Sequence, residues 1–97
     1  MNDAYRFRFS PDVPAEEVRG SLLLALFAVE SLHGESQVQL DAGHDFDVEG
    51  RVLVIDATTA VGRDLNRVFC GFLRREFAAE ALSVERVRAN AEAAAAV

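Results

Sequence analysis

The apolar residues of this chain change their spacing along its length, from every second residue to roughly every 3.6 and back again, and then repeat the change. That double switch limits what the chain can fold into. Tyr5, Phe7 and Phe9 alternate with Arg6 and Arg8, the period of a strand with one apolar face, and predict a strand over residues 4–10. Ser10-Pro11-Asp12-Val13-Pro14 breaks it. Pro14 suits the first position of a helix, where its missing N–H costs nothing, and Glu16 and Glu17 follow where the helix dipole favours acid. Val18, Leu22, Ala25, Val29 and Leu32 then recur at steps of three and four, a helical stripe closed by Gly34. A helix over 14–33 is predicted.

The second half repeats the scheme. Gln37 to Ala42 alternates and predicts a strand, Gly43 to Gly50 is a polar, acidic loop ending in a turn over 47–50, and Arg51 to Asp56 predicts a further strand. Both faces of that strand are apolar, as expected for an interior position covered on two sides. Thr58 or Thr59 can cap a helix over 60–80, whose apolar arc is Val61, Leu65, Val68, Phe69, Phe72, Leu73 and Phe77. Ser83 to Arg88 predicts a short last strand, and Ala89 to Val97 an alanine-rich, helix-prone tail. The order βαββαβ within one α+β domain, residues 1–88, is that of the ferredoxin-like two-layer sandwich, an antiparallel sheet with two helices on one face.

Composition narrows the function classes. A length of 97 residues is enough for one core without staples, and one cysteine cannot make an internal disulfide framework. The N-terminal residues lack the apolar run of a signal peptide, and the longest apolar stretch, Leu22 to Val29, is far short of the ~20 residues of a membrane span. The expected compartment is the cytoplasm. The net charge of −6 disfavours general nucleic-acid binding. All ten basic residues are arginine, which together with the alanine content suggests a GC-rich bacterial source and excludes lysine Schiff-base chemistry.

Several groups of side chains have the residue types that chemistry needs. Asp45-Phe46-Asp47-Val48-Glu49-Gly50, with Asp56 at the twelfth position, has the acid spacing of a calcium loop but no flanking helices. Asp41, His44 and Asp45 would need further ligands to hold a transition metal. His33 in the last helical turn suits the dipole there. Cys70 falls between Arg67 and Arg74, away from the apolar arc, where guanidinium groups lower a thiol pKa; no histidine lies near it in sequence to serve as base. Arg63, Arg67 and Arg74 share a narrow arc suited to anion or nucleic-acid contact, with Arg6 and Arg8 as further candidates. The strands carry no RNA-recognition motif, and neither a Walker loop nor a nucleophile elbow is present.

The feature left unexplained by a two-layer domain lies on the first helix. Leu23, Leu24 and Phe27, with Gly20 among them, sit nearly opposite its core stripe, where such a helix is normally polar. Contiguous apolar surface of this kind marks a partner site. The expectation is therefore a small non-enzymatic interaction or assembly subunit, self-associating or held in a larger complex through Leu23, Leu24 and Phe27, with no cofactor. An anion or nucleic-acid module using Arg63, Arg67 and Arg74 is the alternative, and a metal-dependent or thiol enzyme on the acidic loop or Cys70 the second.

Overall fold

The computed structural model describes residues 3–88; the alanine-rich tail expected over 89–97 lies outside the described residues. Strand β1 (Asp3–Phe9) pairs antiparallel with β3 (Val52–Asp56) on one side and with β4 (Leu82–Arg88) on the other, and β2 (His44–Asp47) pairs antiparallel with β3. The sheet order is β2-β3-β1-β4. In this register Phe7 stands opposite both Leu53 and Val84, and Tyr5 opposite Ile55. Period two therefore puts the apolar residues of all three strands on one face.

Helices α1 (Ala15–His33) and α3 (Ala60–Glu76) cover that face. Val18, Leu22, Ala25 and Val29 from α1 and Val61, Leu65, Phe69 and Leu73 from α3 join Phe7, Leu53 and Ile55 in one buried cluster. The rings of Phe7 and Phe69 meet edge to face, with centroids 5.0 Å apart, the arrangement the aromatic quadrupole favours. Each large apolar side chain buried here contributes roughly 1.5–3 kcal/mol. The fold class is α+β, with a four-stranded antiparallel sheet and three α-helices among the described residues.

The third α-helix is a correction to the sequence reading. The predicted strand over 37–42 is helix α2 (Glu35–Asp41), and the pairing strand is β2, inside the segment read as a loop. Six alternating residues do not separate the two periods: a strand puts Val38 and Leu40 on the same face, a helix on opposite faces. Val38 is buried in the core, whereas Leu40 is exposed, so a single apolar anchor holds the segment. Gly34, at φ 88°, lets the chain leave α1 and start again at once; the Val38 N–H donates to the Gly34 carbonyl at 3.1 Å.

The helix expected over 60–80 stops at Glu76. Phe77 turns extended and packs against the core, followed by a 3₁₀ turn over Ala79–Ala81. At its start Thr59 is the cap: its hydroxyl accepts from the Gly62 N–H at 3.0 Å and donates to the Asp41 carbonyl at 3.0 Å, tying the end of α2 to the start of α3. On the open sheet face Arg6 pairs with Glu85 at 2.5 Å and Arg8 at 3.5 Å. Val52 and Val54 are half-buried there, so the complete cover expected over this strand is only partial.

Candidate functional site

Helix α1 carries its core stripe inward and a second row outward, because at 3.6 residues per turn Gly20, Leu23, Leu24, Phe27 and Ser31 fall on one side and Val18, Leu22, Ala25 and Val29 on the other. Sheet and α3 take only the inner stripe, and not its expected last member, since Leu32 is 71% exposed. Leu23 is left 51% exposed, Leu24 55% and Phe27 54%. Gly20 is exposed between them, and a Cβ placed on it would meet nothing within 4 Å. The outer surface therefore has two ridges and a notch: Leu23/Leu24 and Phe27 stand proud, and Gly20 is low.

One edge of this surface is built by elements that the sequence does not place beside it. Leu23, Leu26, Phe27 and Glu30 of α1 form a shallow groove of about 280 Å³ with Val38 of α2 and His44 of β2. On the same edge, one helical turn toward the N-terminus, the Arg19 guanidinium lies 5.9 Å from the Phe46 ring centroid, a cation–π distance. Arg19 and Glu30 thus flank the apolar row on its β2 side with opposite charges, a pairing that sequence reasoning missed. The helical wheel holds the only signal for it, since the two positions lie about 20° apart there.

The arginines of α3 are exposed, but two of the three are engaged locally. Arg63 donates through Nη1 to the Ala57 carbonyl at 3.4 Å, and Arg67 sits 3.7 Å from Asp64. Asp64 also holds His33 across the α1–α3 contact, at 2.8 Å. The expected dipole partner is therefore a bridge between helices. Arg74 remains at the rim of an apolar cleft of about 420 Å³ walled by Phe7, Leu73, Phe77, Leu82 and Val84.

Cys70 lines the same cleft and is half-buried, not on the helix surface as its sequence position suggested. Burial pushes its thiol pKa up, outweighing the opposing pull of Arg74, so the shift runs against an activated nucleophile. In the acidic segment, Asp45 and Asp47 stand on β2, and Asp47 accepts the Gly50 N–H at 3.1 Å in the turn. Asp56 ends β3 and accepts the Thr58 N–H at 2.8 Å. The calcium-loop spacing is thus spread along a hairpin. Among the described residues no three histidine, cysteine or acidic side chains are grouped as metal ligands, and no helix is long and apolar enough to cross a membrane.

Comparison with known proteins places no relative beside this chain: no family model, no curated protein and no solved structure matches it.

Proposed function

We propose that this chain is a small non-enzymatic assembly subunit that associates with a second copy of itself through the outward face of α1. The observation that carries the reading is the exposure of Leu23, Leu24 and Phe27, each by more than half, in one contiguous row. Side chains of this size, half exposed, leave a patch on the order of a few hundred Å², a size at which exposed apolar surface is often functional. A second copy is the fitting occupant because the row is flanked by both charges, Arg19 and Glu30, so the surface is complementary to itself.

The fold reading that accompanies this proposal is ferredoxin-like. It is supported by the central positions of β1 and β3 and by the order β4-β1-β3-β2 counted from the other edge; α2 is an addition to that plan. The arginine face of α3 gives the weaker functional reading, since Arg63 and Arg67 already have partners within their own helix and the preceding turn.

Light scattering over a dilution series tests the proposal. The wild type is expected at twice the chain mass of 10.6 kDa, and Leu24→Glu/Phe27→Glu at the single-chain mass with an unchanged far-ultraviolet spectrum. A wild type that stays monomeric to about 100 μM, where even weak self-association is populated, would sink it.

A further inference from the structure

We infer that two copies pair through their α1 helices antiparallel, about a two-fold axis midway between Leu23 and Leu24, with Phe27 of each copy seated over Gly20 of the other. This rests on the self-association reading and specifies its geometry. The argument starts from spacing. Gly20 and Phe27 are seven residues apart, two helical turns, so they lie on nearly the same line of the surface about 10 Å from each other. Leu23 and Leu24 fall between them, one on each side of that line. Inverting the helix about its midpoint exchanges the ends of this row. The ridge at Phe27 then meets the notch at Gly20, where no atom of the protein occupies the space above Cα, and each leucine pair meets its own copy at the axis.

Charge selects the same orientation. Arg19 and Glu30 both sit on the β2 side of the row, Arg19 over Phe46 and Glu30 in the groove with His44. In the antiparallel arrangement Arg19 comes alongside Glu30 of the second copy, and symmetry makes the pair twice. In a parallel pair the two-fold runs along the helices and carries Arg19 and Glu30 of the second copy to the far edge of the row, so neither charge meets its complement. Farther out at each end of the row Glu16 faces Ser31 of the second copy, whose hydroxyl donates to the Phe27 carbonyl at 3.3 Å in the single chain. The glycine lets the two backbones approach to the short end of helix packing, about 8 Å between axes. With Cα atoms on a cylinder of about 2.3 Å radius, the two Leu24 Cα atoms then come within about 5 Å, inside the roughly 4.4–6.8 Å a disulfide spans. The two Glu16 Cα atoms are then over about 20 Å apart.

Engineered cysteines in a Cys70→Ser background read this geometry directly. Under mild oxidation Leu24→Cys is expected to give a linked dimer, Glu16→Cys none, and Glu16→Cys/Ser31→Cys a linked dimer again. Charge reversal gives a second readout that leaves the apolar row intact: Arg19→Glu and Glu30→Arg each weaken the dimer about tenfold, and the double variant recovers near wild-type affinity. Gly20→Leu adds apolar surface yet weakens association, because it fills the notch. If the wild type is dimeric but Leu24→Cys stays unlinked, or Glu16→Cys links alone, or the double reversal fails to recover, the antiparallel geometry falls while self-association stands. A monomeric wild type removes both.

Discussion

At the scale of single residues, position decides what a glycine does. A Cβ at Gly62 would run into the Asp56 backbone carbonyl. That carbonyl cannot retreat, because the Asp56 N–H donates to Gly43 at 2.8 Å and its carboxylate holds Thr58. Gly62→Ala is therefore expected to lose about 2 kcal/mol by denaturant unfolding, overpacking outweighing the better helix propensity of alanine. Gly71 sits mid-helix with nothing within 4 Å of its Cβ position, and Gly71→Ala is expected to gain about 0.5–1 kcal/mol. If the two substitutions shift stability alike, the packing of α3 against the end of β3 is not as described. A helical wheel separates these two glycines, since nine positions leave them half a turn apart and Gly62 falls on the apolar arc while Gly71 falls opposite, but it does not show what Gly62 meets. The Thr59 cap was legible because capping uses residues three apart, whereas the Gly62 contact needs β3 to arrive from another element.

At the scale of elements, α2 is the instructive case. Glutamate, glutamine and leucine are good helix formers, but a seven-residue helix is too short to persist alone, so its state is set by what it docks against. Val38 provides that anchor, buried beside α1, while Leu40 on the other side of the turn is 80% exposed. Val38→Ala is expected to cost about 2 kcal/mol and Leu40→Ala less than about 0.5 kcal/mol, measured by thermal or urea unfolding. Equal costs would restore the strand reading, in which both residues share a face. The contrast with α1 is one of length: across nineteen residues the 3.6 period outweighs every alternative, and that helix was legible nearly to its boundaries.

At the scale of the whole molecule, the surroundings shift the ionisation of Cys70 and Glu85 in opposite senses, and each shift couples to stability. Burial raises the Cys70 pKa, so its thiol form is favoured in the folded state. That contribution is fully present below the ordinary thiol pKa, about 8.5, and is lost as pH rises from there through the folded value. Glu85 behaves oppositely. The hydrogen bond from Arg6 lowers its pKa first, with further help from Arg8, so its contribution is present above the ordinary glutamate range and is lost as pH falls through the depressed value. Glu85 is exposed, and its effect is small and screened by salt. Melting temperatures across pH are expected to fall on the alkaline side for the wild type and to fall less for Cys70→Ala. An identical alkaline limb in both proteins would contradict the half-buried thiol. The alternation of apolar periods, the placing of β1, α1, β3 and α3, and the core they share follow from local spacing, and local spacing is written in the sequence. So is the outward row of Leu23, Leu24 and Phe27, which a helical wheel displays without coordinates. The helical state of residues 35–41, the burial of Cys70, the His33–Asp64 bridge and the Arg19 and Glu30 edge beside β2 depend on which distant segments become neighbours, and only the packed tertiary structure decides that.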